Sequence, residues 1–101
     1  MPEHTSETIR QHIIAALHDL LGDKDVGSID DDTNPIGQLG LRSPDGVDFA
    51  CELSVRLGFE IPDKLNPLVD DERQRARTVR EMVLVVSEIV GVQPETSYGQ
   101  R

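Results

Sequence analysis

The side chains with chemistry to offer are few in this sequence, and their spacing removes most of the usual reactions. Cys51 is the only cysteine. It cannot close an intrachain disulfide, and one cysteine in mid-helix without a basic neighbour reads as a small hydrophobe rather than a nucleophile. His4, His12 and His18 meet no Ser, Cys or carboxylate at an interpretable spacing. His18 and Asp19 are adjacent, but adjacent residues on a helix point apart. The run Asp30, Asp31, Asp32 lacks the glycine and distal Glu of a calcium loop, and no Cys and His spacing suits zinc. The reading is of a chain that is not an enzyme and holds no metal. What remains is Ser43, followed by Pro44 and Asp45. Ser then Pro is a routine helix start, with the hydroxyl as cap and the proline as first helical residue.

Five stretches must position these residues. Ile9, Ile13, Ile14, Leu17, Leu20 and Leu21 recur at helical spacing, which predicts an amphipathic helix over about 6–21, capped by Thr5 or Ser6 and stopped at Gly22. Residues 22–40 are rich in Asp, Gly and Pro and predict a long acidic loop, pinned into the core by Val26, Ile29, Ile36 and Leu39. A second helix is predicted from Ser43 to Gly58, burying Phe49, Ala50, Leu53 and Leu57. Asp45, Asp48 and Glu52 make an acidic outer side, and Val47 and Cys51 flank it. Asn66 and Pro67 again read as cap and first helical residue, predicting a short third helix. The Arg73, Arg75, Arg77 and Arg80 cluster reads as a solvated face paired with Asp70, Asp71 and Glu72. Thr78 with Glu81 three residues on is a capping box. It opens a last helix ending at Gly91, with Val79, Met82, Val83, Val86, Ile89 and Val90 on one stripe. Residues 92–101 have the composition of a flexible tail.

Composition bounds the class. A chain of 101 residues forms one domain, here 1–91 followed by the tail. With 19 acidic against 10 basic residues and a net charge of −9, nucleic acid and anionic membranes are poor partners and a basic protein surface is a good one. One Tyr, two Phe and no Trp leave an aliphatic core of the kind that fills small helical bundles. No apolar run approaches the roughly 20 residues of a membrane span, and no signal-like segment opens the chain. The expectation is a monomeric protein of a reducing, cytoplasmic compartment.

The layout of three main helices, one short helix before the last and a long loop between helices 1 and 2 resembles the acyl carrier proteins. Local sequence carries the same resemblance. The segment PIGQLGLRSPDGVDFACELSVRLGFEIPD, residues 35–63, is similar to the family's central segment, a Leu-Gly-x-Asp-Ser-Leu core followed by an acidic amphipathic helix and a Glu-Ile-Pro-Asp ending. Leu39, Gly40, Ser43, Asp45, Val47, Asp48, Leu53, Glu60, Ile61, Pro62 and Asp63 fall in step without a gap. Ile29, Thr78 and Val79 match outside it. The resemblance implies an all-α bundle in which Ser43 carries a covalent 4'-phosphopantetheine arm derived from coenzyme A, holding acyl groups as thioesters in fatty acid or specialised biosynthesis. A phosphate there would meet unpaired backbone N–H groups and the positive end of the helix dipole. The implied partners are a phosphopantetheinyl transferase and acyl-transferring or acyl-modifying enzymes with basic surfaces, docking on Asp45, Val47, Asp48, Cys51 and Glu52.

Departures from the pattern point to a specialised member. Arg42 stands where the family usually has Asp, reversing a charge beside the serine. Pro44 replaces the usual Leu, Pro35 stands where Phe or Leu is common, and the stretch between Pro62 and Val79 is several residues longer. The alternative reading is an unmodified, carrier-like interaction module that has lost the arm.

Overall fold

The computed structural model describes residues 5–22, 27–62, 65–70 and 73–91. It is mostly helical, in the order α1 (Ser6–Leu21), α2 (Pro35–Leu39), α3 (Asp45–Leu57), β1 (Val69–Asp70), β2 (Arg75–Ala76) and α4 (Val79–Val90). No helix among the described residues is long and apolar enough to cross a membrane.

The periodic segments form as their patterns dictate. Thr5 caps α1 reciprocally with Thr8, and Ile9, Ile13, Ala16, Leu17 and Leu21 of α1 are buried. Phe49, Leu53 and Leu57 of α3 join them, with Ala50 packed at the margin. The valine-rich α4 is a helix despite the weak helix propensity of valine, because its stripe buries Val79, Met82, Val83 and Val86 in the same cluster. Gly58 and Gly91 end α3 and α4 in the left-handed conformation, at φ +69° and +90°, which a residue with a Cβ adopts at a cost.

The predicted acidic loop is pinned, and by more than apolar residues. Ile29 and Ile36 pack against the core and Leu39 is buried within it, while Val26 lies outside the described residues. The loop also contains a helix that the composition did not suggest. Asn34 accepts the Ile36 and Gly37 N–H groups at 3.1 and 3.0 Å, Pro35 occupies the first turn, and Gly40 closes α2 at φ +82°. Asp31 and Thr33 offer their backbone carbonyls to the Arg80 and Val79 N–H groups, each at 2.9 Å. The side chains of Asp31 and Asp32 bind Arg10 of α1 at 2.7 Å and Arg80 of α4 at 2.6 Å. The aspartates therefore cap and clamp helices.

The short helix expected at Asn66 and Pro67 does not form. Asn66 Oδ1 accepts the Leu68 N–H at 3.0 Å, and its carbonyl accepts the Val69 N–H at 3.2 Å, so the local donors are satisfied in one turn without a helix. The chain then makes an antiparallel hairpin, Val69 opposite Ala76 and Asp70 opposite Arg75, turned with Gln74 at φ +56°. The arginine cluster is consumed internally. Arg73 lies 3.7 Å from Asp70, Arg75 grips Glu81, Arg77 donates to the Asn66 carbonyl at 3.1 Å, and Arg80 binds Asp32. Asp71, Glu72 and the tail from residue 92 lie outside the described residues.

α1 packs against both α3 and α4. Arg56 joins the last turn of α3 to Asp19 near the end of α1. At the other end, Asn66 touches the start of α3 and Arg77, just before α4, holds Asn66. The beginnings of α3 and α4 are thus linked through Asn66.

Candidate functional site

Three bonds settle how α3 begins. The N–H groups of Asp45, Gly46 and Val47 donate to the carbonyls of Arg42, Ser43 and Pro44 at 2.9, 3.0 and 3.2 Å. The Asp45 carboxylate returns to the Arg42 N–H at 2.8 Å. The helix proper therefore starts at Asp45, two residues later than predicted, with Pro44 in the cap position and no side-chain cap. Ser43 is not the cap. It sits in the preceding turn, exposed, and its hydroxyl makes no hydrogen bond among the described residues. The unpaired N–H groups expected for a phosphate are likewise engaged, because the turn carbonyls satisfy them and Pro44 has none to offer.

The backbone of the serine is nevertheless held. Its carbonyl accepts a second bond from Asn66 Nδ2 at 2.9 Å. Behind it, Gly46 is buried, and a Cβ built on Gly46 would fall 2.0 Å from Asn66 Oδ1. The Asn66 side chain fills the space that only a glycine leaves open. Arg42 is exposed, and it is the one arginine among the described residues whose side chain has neither a hydrogen bond nor an ion pair.

A groove of about 630 Å³ runs along α3 from Gly46 to Val55, with Glu60, Ile61, Pro62, Leu65 and Asn66 on its other side. Val47, Cys51 and Val55 form one wall on the helix, and Ile61, Pro62 and Leu65 the other. Val47 and Val55 are 68% and 81% exposed, so an apolar strip of one helix faces solvent rather than the core. Val55 was not singled out from the sequence, although it extends the Val47, Cys51 spacing by one more helical turn. The place of Glu60, Ile61, Pro62, Leu65 and Asn66 at this groove was missed for a different reason, since nothing local says that they lie alongside α3.

The acidic residues proposed for docking do not act as one set. Asp48 is exposed and makes no bond among the described residues. Asp45 is committed to the Arg42 N–H. Glu52 is half-buried and holds Arg56 at 3.0 Å, which also binds Asp19. The Arg56 guanidinium keeps the Asp19 carboxyl below its ordinary value. Glu60 adds an exposed carboxylate at the groove. His18 is exposed on α1, and no group of metal-ligating side chains occurs among the described residues. Comparison with known proteins finds no family model, no curated sequence and no solved structure that matches the chain.

Proposed function

We propose that this chain is a specialised acyl carrier protein with an acyl-carrier-like helical bundle, carrying its cargo on a 4'-phosphopantetheine arm attached to Ser43. The observation that carries this reading is an exposed, unbonded serine hydroxyl in a turn held by Asn66, a residue that also lines an apolar groove along α3. A hydroxyl that serves no structural purpose, on a backbone held from two sides, is accessible to a modifying enzyme. The fit to the arm is at Ser43 Oγ and not in a backbone cradle. Ser43 Oγ gives up its proton and bonds to phosphorus as the pyrophosphate of coenzyme A breaks and adenosine 3',5'-bisphosphate leaves. The arm supplies a terminal thiol on which acyl groups travel as thioesters, at raised effective concentration near each enzyme. The chain itself presents and orients. Val47, Cys51 and Val55 offer apolar contact, while Asp48 and Glu60 select a basic partner surface. Asp45 and Glu52 contribute less than their charge suggests, being bound within the molecule.

A second reading has its own observation. The first turn of α3 offers no free N–H group to a phosphate, and the unpaired Arg42 stands beside the serine. Both suit an armless interaction module that binds partners through the groove alone. Intact-protein mass spectrometry after incubation with coenzyme A and a broad-specificity phosphopantetheinyl transferase separates the two. The carrier gains one phosphopantetheine, and Ser43→Ala gains none. An unchanged wild-type mass, in that reaction and in chain purified from its native host, leaves the interaction module.

A further inference from the structure

Asn66 belongs to two structures at once. It lines the groove, and it donates from Nδ2 to the Ser43 carbonyl at 2.9 Å. Its Oδ1 accepts the Leu68 N–H at 3.0 Å, and its own carbonyl takes the Arg77 guanidinium at 3.1 Å. Arg77 in turn donates its backbone N–H to Leu68 at 2.9 Å. The hairpin segment thus grips Asn66 on one side, while Asn66 grips the serine turn on the other. The buried Gly46, with no room for a Cβ, is the mark of that close approach.

We propose that Asn66 is the positioning residue of the Ser43 turn, fixing how the serine is presented to the enzyme that modifies it and tying that presentation to Leu68 and Arg77. The modification half rests on the carrier reading above. The positioning half does not. The Ser43 carbonyl accepts both the Gly46 N–H and Asn66 Nδ2, so it is the point where the first turn of α3 and the hairpin segment meet. Pro44 provides no N–H at this turn, and Ser43 provides no side-chain cap. The turn's other bonds run within residues 42–47, whereas Asn66 donates from a separate segment, so loss of the Asn66 donor is felt at the Ser43 carbonyl.

Asn66→Asp separates the two sides of this grip. The carboxylate keeps the acceptor for Leu68 but cannot donate to Ser43, and it repels that carbonyl. Amide hydrogen exchange followed by NMR is expected to show Leu68 as protected as in the wild type, with Gly46 exchanging about fivefold faster, the scale of one lost hydrogen bond. The rate of modification by a broad-specificity phosphopantetheinyl transferase with coenzyme A should fall about fivefold, in kcat more than in KM because the α3 surface is untouched. A purely structural role would instead raise exchange at Leu68 and Gly46 together. Unchanged Gly46 exchange overturns the proposal, as does faster Gly46 exchange with an unaltered modification rate. If the wild-type chain is not modified at all, the carrier reading falls, and the exchange result alone decides whether Asn66 holds the turn.

Discussion

The starts of α3 and α4, linked through Asn66 and Arg77, are built on opposite plans. At α4 every early donor finds a dedicated partner. Val79 and Arg80 donate to Thr33 and Asp31, Glu81 to the Thr78 hydroxyl, and Met82 to the Thr78 carbonyl, while Glu81 returns to the Thr78 N–H at 2.9 Å. At α3 the donors are closed by their own turn, and the serine hydroxyl that could have capped them is left facing water. Side-chain caps stabilise helices, and a hydroxyl spent on a cap is poorly placed for chemistry. The contrast teaches that α4 is anchored for stability and α3 is left open at its start. The open end is the one beside the groove.

The largest expected effect comes from filling the space behind the open turn. Gly46→Ala places a methyl against the Asn66 side chain and should cost about 1–3 kcal/mol in urea unfolding; a cost below the error of the measurement would mean that Asn66 moves away freely. Next, Thr78→Ala removes a working cap, with an expected loss of about 1 kcal/mol. Acid titration comes third. Arg75, and then the Thr78 N–H, hold the Glu81 carboxyl below its ordinary value of 4.5. Its contribution is therefore complete above its unfolded pKa and is lost as pH falls through the lower, folded one. Glu81→Gln should flatten the acid limb of a stability–pH curve, and an unaltered limb would show that the Arg75 contact is not maintained in solution. The smallest effect is expected of Ser43→Ala, within about 0.5 kcal/mol of the wild type. A loss as large as that of Thr78→Ala would mean that Ser43 caps α3 after all, and the comparison would collapse.

Three places in the chain carry the same local pattern, a capping side chain followed by proline, and the three outcomes differ. At Asn34 and Pro35 a capped helix forms, within what reads as loop. At Ser43 and Pro44 a helix follows two residues later, without the cap. At Asn66 and Pro67 there is one turn and then a hairpin. Proline fixes its own φ and the asparagine or serine offers an acceptor, but whether that acceptor meets a helix depends on what else competes for it. Asn66 is claimed by Leu68 and Ser43, and the Asp45 and Gly46 N–H groups that a Ser43 cap would accept are taken by the Arg42 and Ser43 carbonyls. The hairpin did leave one trace, since Arg73, Arg75 and Arg77 alternate with a period of two, the period of a strand. Their charge drew the reading toward a solvated face instead.

What the sequence determined by itself is the set of long periodic helices and their ends, the start of α3 apart. The spacing of Ile9 to Leu21, Phe49 to Leu57 and Val79 to Val86 specifies a buried face whatever surrounds it, because a 3.6-residue period admits one apolar side. Thr5, Thr78, Gly58 and Gly91 mark boundaries through bonds or dihedrals that are local. Exposure of Ser43, the groove along Val47, Cys51 and Val55, and the sharing of Asn66 between hairpin and serine were decided only by the tertiary structure. The groove and the sharing of Asn66 depend on Glu60, Ile61, Pro62, Leu65 and Asn66 lying alongside α3, and contacts between separate segments are set by the packing of the whole core rather than by any local pattern.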